Sequence, residues 1–155
     1  MKAHLLAVGT HMPSWVQEGY EEYGKRLPSH YQITLTEIPL SKRHKNAPAA
    51  LCLQEEETLL LKHIDERDWV VALDVKGRSF STLELAEEIK KWQLQGNPLK
   101  FLIGGPHGLS PQCIARAHQT WSLSSLTFPH PLVRILFAEQ WYRAYTLISG
   151  HPYHR

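Results

Sequence analysis

The stretch KFLIGGPHGLSP, residues 100–111, decides how the chain folds. Phe101, Leu102 and Ile103 form the apolar run of a buried strand, and with Leu99 and Lys100 they predict one over residues 99–103. The run stops at Gly104-Gly105-Pro106-His107-Gly108, residue types that let a backbone turn sharply and approach a ligand closely. A ligand is therefore expected at the end of this strand. Further on, Leu123-Ser124-Ser125-Leu126-Thr127-Phe128 ends at Pro129-His130-Pro131, and a helical pattern over residues 132–149 leads to the terminal HPYHR.

The chain ahead of this stretch alternates strands and helices. Residues 4–8 read as a short buried strand, and Gly9-Thr10-His11-Met12-Pro13 as the turn into a helix that starts at Pro13 or Ser14, with Val16, Tyr20, Tyr23 and Leu27 on one face. Such a loop can approach a ligand, although a strand-to-helix turn is the ordinary use of these residues. YQITLTEI, residues 31–38, alternates polar and apolar side chains and predicts a second strand. A helix follows over residues 47–64, with Ala50, Leu53, Leu60 and Ile64 as its apolar stripe and Glu55-Glu56-Glu57 expected to face water. Trp69-Val70-Val71-Ala72-Leu73 is apolar throughout, as a strand covered on both faces should be, and Asp74 is expected at its C-terminal end, the edge where open α/β sheets place ligands. Ser81-Thr82-Leu83-Glu84 has the spacing of a capping box and opens a helix with Leu85, Ile89 and Trp92 on one face, closed by Gly96-Asn97-Pro98. A short fifth strand is expected over residues 121–123. The order βαβαβαβ predicts an α/β fold with a mostly parallel sheet flanked by helices.

Composition narrows the class without naming a function. A chain of 155 residues is read as a single domain, 1–155, which at that size buries roughly 68–70% of its unfolded surface. Hydrophobic residues at 43% and charged residues at 21% are those of a globular protein, and a net charge of +2 does not announce a nucleic-acid binder, so any basic surface must be local. The densest basic run is Lys42-Arg43-His44-Lys45. Cys52 and Cys113 fit no metal or redox motif and are expected as reduced thiols in a cytoplasmic protein. No apolar stretch reaches the roughly 18 residues of a membrane span.

Several segments, in order, carry a resemblance: VGTHMPSWVQ (8–17), KRHKN (42–46), LDVKGRSFST (73–82), LIGGPHGLSP (102–111), WSLSSLTFPHPLVR (121–134), and the terminal YRA (142–144) and HPYHR. Together they resemble the SPOUT methyltransferases that act on pseudouridine in large-subunit ribosomal RNA, and the resemblance covers the whole chain. It implies an α/β fold with a C-terminal trefoil knot, a homodimer, and S-adenosyl-L-methionine as cofactor. The implied reaction methylates N3 of a pseudouridine in a hairpin loop (helix 69) of 23S ribosomal RNA. Alternatives are another RNA position, such as a ribose 2'-hydroxyl, and a non-catalytic ribosome-binding factor. By the same resemblance, cofactor contacts fall at Leu73, Gly104, Gly105, Leu123, Ser124, Ser125, Leu126, Thr127 and Phe128, and the segment with Lys42, Arg43 and Lys45 contacts RNA phosphates.

N3 of a uracil-type ring carries a weakly acidic proton, so the implied transfer requires its removal and a stabilised anionic base. A neutral His154 suits the first task, Arg155 or Arg143 the second, and Tyr153 can hydrogen-bond or stack on the base. Arg143 also stands four residues after Glu139, the spacing of a plain helix ion pair. His107 and His130 are expected to face solvent from the loops beside the pocket. His151 and His154 are interrupted by Pro152 and have no evident third ligand, so no metal is expected. The helix over residues 132–149 is apolar around more than one face: Val133, Phe137, Trp141, Ala144 and Ile148 form one stripe, while Leu132, Ile135, Leu136, Tyr142 and Tyr145 widen it. A partner subunit is expected to cover part of that surface, with Trp141 at the interface.

Overall fold

In the computed structural model, which describes residues 1–41 and 47–154, five strands form one sheet: β1 (Ala3–Val8), β2 (Ile33–Ile38), β3 (Trp69–Ser79), β4 (Leu99–Ile103) and β5 (Gln119–Ser122). Their order is β2-β1-β4-β3-β5, and each pairing is parallel. The helices are α1 (Ser14–Gly24), α2 (Ala49–Leu61), α3 (Thr82–Gln95), α4 (Pro111–Arg116) and α5 (His130–Ser149). Parallel strands joined through helices are covered on both faces, and the period of two splits their side chains between two cores. Leu5, Ala7, Phe101 and Ile103 join α3 and α5 on one face, while Leu6, Val8 and Leu102 meet Leu60 of α2 and Cys113 of α4 on the other.

The capping box of α3 forms as its spacing predicts, with Ser81 Oγ accepting from the Glu84 N–H at 3.1 Å and Glu84 Oε2 accepting from the Ser81 N–H at 2.8 Å. Gly96 ends α3 at φ +75°, a left-handed conformation suited to glycine. Helix α4 has no counterpart among the sequence expectations, although its signal was present: Ser110 caps the Cys113 N–H at 3.1 Å and Pro111 takes the first helical position.

Three expectations are corrected. β3 does not end at Leu73 but runs on to Ser79, because residues 74–77 bulge out and both Leu73 and Arg78 pair with Trp121. Asp74 therefore lies on the bulge within the strand. In α2 the buried stripe is Cys52, Glu56 and Leu60, and Ala50 is exposed. The three acids do not simply face water: Glu56 is 2% exposed, Glu55 accepts from Ser41 Oγ at 2.5 Å and Glu57 from Ser110 Oγ at 2.6 Å. Hydroxyl donors on neighbouring loops replace water for Glu55 and Glu57, which a reading of one helix in isolation does not see.

Trp141 is the third correction. Its ring is fully buried within its own chain, stacked 6.0 Å from Phe137 and edge-on at 5.7 Å to Phe101, and its indole N–H donates to the Tyr31 carbonyl at 2.8 Å. It belongs to the core of the single chain and not to an interface. Trp141→Glu is thus expected to prevent folding of the chain itself, because truncating a buried Trp alone costs about 3–5 kcal/mol and the carboxylate adds an unpaired charge. Circular dichroism and denaturant titration read the outcome; a folded, stable monomer would contradict this packing.

Candidate functional site

The C-terminal end of β4, the bulge within β3 and the segment after β5 meet around one cavity of about 580 Å³, within the size range of small-molecule sites. Its walls are made mostly of loops, whose shape is set by short-range contacts. After Ile103 the chain turns through residues 104–108, with the Gly108 N–H donating to the Gly105 carbonyl at 2.9 Å. A Cβ on Gly104 would lie 2.4 Å from the carbonyl carbon and oxygen of Gly108, so glycine is required there by the approach of two backbones. Gly108 itself has φ +76°. The opposite wall is shaped by serines: Ser122 Oγ donates to the Ser124 carbonyl at 2.8 Å, and Ser124 Oγ accepts from the Leu126 N–H at 3.0 Å.

Eight of the nine expected cofactor residues line this cavity: Leu73, Gly104, Gly105, Leu123, Ser124, Leu126, Thr127 and Phe128. Ser125 is exposed and is not part of the wall. The reason for glycine at position 105 differs from the one the motif suggests: a Cβ there would meet Val8 Cγ1 at 2.9 Å and Leu40 Cδ2 at 3.2 Å, so the constraint is packing against β1 and the segment after β2. Sequence reasoning missed the contributions of Trp121 and Val133 to the cavity. It also placed His130 in solvent, whereas His130 is the first residue of α5, half-buried, and lines the cavity. Burial, followed by the nearby Arg134 cation, pushes its imidazole below the ordinary pKa. Its signal was the Pro-His-Pro sequence that opens α5, since a proline at the second helical position fixes where the first turn begins.

These walls fit S-adenosylmethionine. Leu73, Leu123, Phe128 and Val133 offer apolar faces to an adenine, the backbones of residues 104–105 and 123–128 offer donors and acceptors to its edge, and Asp74 adds an acceptor for hydroxyl or ammonium groups.

The tail lies elsewhere. Pro152–His154 forms a short 3-10 helix that docks on α5, so these residues are packed and not a loose end. The Tyr153 hydroxyl donates to Glu139 Oε1 at 3.1 Å, and its ring lies 4.7 Å from that of Tyr142. The Arg143 guanidinium stands 4.9 Å over the Tyr153 ring and pairs with Glu139 at 2.5 Å, so the helix ion pair foreseen from spacing exists and also supports the tail. The hydrogen bond that Arg143 donates to Glu139 raises the Arg143 pKa further, while burial and then the Glu139 carboxylate raise that of the Tyr153 phenol. His154 Nδ1 is buried without a hydrogen-bond partner among the described residues. Arg155, like Lys42, Arg43 and Lys45, lies outside the described residues. Val133 lines the cavity and Arg143 comes ten residues later in α5, about 15 Å along the helix axis. None of Arg143, Tyr153 and His154 is among the residues that line the cavity of their own chain.

Comparison with known proteins identifies the chain's relatives. A family model described as predicted SPOUT methyltransferase matches residues 1–154. A curated relative from Marinomonas sp., named ribosomal RNA large subunit methyltransferase H, is 50% identical over 155 residues and is matched over 100% of both chains. One of the same name from Hahella chejuensis is 52% identical over 156 residues, covering 100% of this chain and 99% of the relative. Among solved structures, a probable methylase family protein from Haemophilus influenzae superposes with a TM-score of 0.57 at 10% identity, over 99% of this chain and 70% of that one. A probable methyltransferase from Bordetella pertussis gives 0.54 at 12% identity, over 92% and 95%. At such identities the structures share the fold alone.

The cavity yields a direct test. Gly104→Ala is expected to displace residues 104–108 and weaken S-adenosylmethionine binding by about a hundredfold or more, since a fixed backbone cannot give way as a side chain can. Calorimetry on the folded variant measures it, and wild-type affinity would remove this loop from the site.

Proposed function

Since the chain belongs to the SPOUT methyltransferase family, we propose that it methylates N3 of a pseudouridine in a hairpin loop of large-subunit ribosomal RNA, with S-adenosylmethionine as methyl donor. The observation that carries this reading is the cavity itself, apolar and backbone-walled, at the ends of parallel strands in a chain that aligns end to end with named ribosomal RNA methyltransferases. When bound, the cofactor supplies a methyl group on a positively charged sulfonium. The chain's part is to hold the base, take the proton from N3 and hold the charge that its removal leaves. His154, with its unpartnered Nδ1, suits the proton; Arg143, kept cationic by Glu139, suits the charge; Tyr153 offers a ring and a hydroxyl to the base. Arg155 enters on the strength of its permanent charge, and Lys42, Arg43 and Lys45 as phosphate contacts. The C-terminal trefoil knot of the family is part of the same proposal.

We further infer a homodimer whose site is shared. Reacting atoms must come within about 3–3.5 Å, and none of Arg143, Tyr153 and His154 lines the cavity of its own chain. The tail of one protomer serving the cavity of its partner resolves this, and the half-exposed Leu132 and Leu136 of α5 give such a partner apolar surface to cover. Among the described residues no helix is long and apolar enough to cross a membrane, and a ribosomal substrate assigns the work to the cytoplasm.

Mass mapping of ribosomal RNA from cells lacking the protein tests the substrate: one methyl group should be missing from a pseudouridine and should return on incubation with enzyme and cofactor. Mixing separates a shared site from two independent ones. Gly104→Ala and Arg143→Ala proteins, each inactive alone, are expected to regain roughly a quarter of wild-type activity when allowed to exchange subunits, because half of the dimers then hold one complete site. No recovery despite demonstrated exchange would refute sharing.

A further inference from the structure

Arg134 is 2% exposed, yet it carries a permanent charge directly after Val133, a residue of α5 that lines the cavity. Burying a guanidinium is costly, and an apolar side chain often serves stability as well. What the charge does here is make two directed contacts that no apolar group can make. Nη1 donates to Glu37 Oε2 at 2.6 Å and Nη2 donates to the Gly9 carbonyl at 2.7 Å. Glu37 is near the end of β2, and Gly9 is the first residue after β1. One side chain of α5 thus ties the ends of two neighbouring strands together.

Gly9 is held from both sides, since its N–H donates to the Ile38 carbonyl at 2.6 Å. Its φ of +119° turns its carbonyl toward Arg134, and His11, two residues on, is at φ 56°, a left-handed conformation that is uncommon without glycine. The loop that follows β1 is therefore fixed in an unusual path and presents Thr10, His11 and Met12 at least partly to solvent. It is also next to the cavity. A Cβ built on Gly9 would lie 3.4 Å from His130 Nε2, and His130 lines the cavity; on the other side Gly105, also in the wall, abuts Val8. Neither the cofactor assignment nor the tail accounts for this loop or for the buried cation behind it.

We propose that Arg134 is a positioning residue for the RNA substrate: by holding Gly9 and Glu37 at once it fixes residues 9–13 beside the cavity, against His130 of its wall, where they meet the incoming base. The role rests on the methyltransferase reading above and adds a specific division of labour to it. Residues 104–108 and 123–128 hold the cofactor, and the loop after β1 sets where the base stops.

Arg134→Lys tests the assignment, because one ammonium on a flexible stem cannot span both acceptors as a planar guanidinium does. Hydrogen exchange at the amides of residues 10–12 is expected to speed up, and KM for large ribosomal subunits to rise by about tenfold, with kcat and the dissociation constant of S-adenosylmethionine changed by less than about twofold. Wild-type KM and exchange in Arg134→Lys would overturn the proposal, as would a loss shared equally between cofactor and RNA, the mark of a purely structural role. Should Arg134→Lys fail to fold, Gly9→Ala decides: its methyl would press on the flexible end of Met12 at 2.8 Å and touch His130 Nε2 at 3.4 Å and Arg134 Nη2 at 3.5 Å, and its φ disfavours alanine, so the loop must move. A raised KM with intact cofactor binding supports the loop's role, and an unchanged KM refutes it. Wild-type protein that binds cofactor yet leaves ribosomal RNA unmethylated would instead refute the substrate assignment, leaving the exchange measurement to judge the clamp.

Discussion

The site depends on one close approach of backbone to backbone, Gly104 against Gly108, where even a methyl group has no room. That contact folds the segment after β4 into a compact turn that leaves the strand ends open. The sheet order does the rest: β4 is central, β3 lies beside it and β5 at the edge, so the segments that leave β4 and β5 and the bulge within β3 enclose one cavity. Parallel pairing is what aligns those ends, and it requires the covered apolar faces that β1, β4 and the first half of β3 supply. The bulge at residues 74–77 follows the same logic. Gly77 passes so close to Thr120 and Trp121 that a Cβ would lie 2.7 Å from their backbone, which lets β3 and β5 rejoin beyond Asp74 and leaves Asp74 facing the ligand space.

Much of this was legible in the sequence because it is local. The strand over residues 99–103, the capping box at Ser81 and the glycine stop at position 96 are each decided by residues within a few positions of one another. The bulge was not legible, since LDVKGRS reads as the end of a strand and a turn until Trp121 is known to pair on both sides of it. Residues 55–57 of α2 misled for a related reason. Carboxylates on a helix surface ordinarily face water, and the hydroxyls of Ser41 and Ser110 that receive two of them come from loops distant in the chain. Trp141 shows the limit of a periodic pattern: its spacing identifies a buried face but does not say whether the cover is the same chain or another.

The candidate site divides in the same way. The glycines after β4 announce themselves by residue type and the 123–128 segment by the family resemblance, and the structure brings all of them but Ser125 to one cavity. His130 and Arg134 were not singled out for what they do, because a histidine between two prolines and an arginine in an apolar helix carry no motif. Their significance comes from position at the N-terminal end of α5, between the cavity and the strand ends of β1 and β2.

The far end of α5 is built on a different principle. Tyr153 is held by one carboxylate and by two guanidiniums, Arg143 at 4.9 Å and Arg26 at 5.9 Å from its ring, with Tyr142 beneath it. A short tail of five residues after Gly150 would not order on its own, since termini without such anchors are usually mobile. The fold therefore spends several side chains of α1 and α5 on fixing a segment of which Tyr153 packs at the edge of the core. This expense is intelligible if the tail must arrive preformed at a surface outside its own chain, where each group left to be ordered on contact would weaken the productive geometry. The arrangement also explains why the same helix can serve two places at once: its first turns shape a cavity, its last turns stiffen a tail, and its rigidity keeps the two at a fixed separation within one chain.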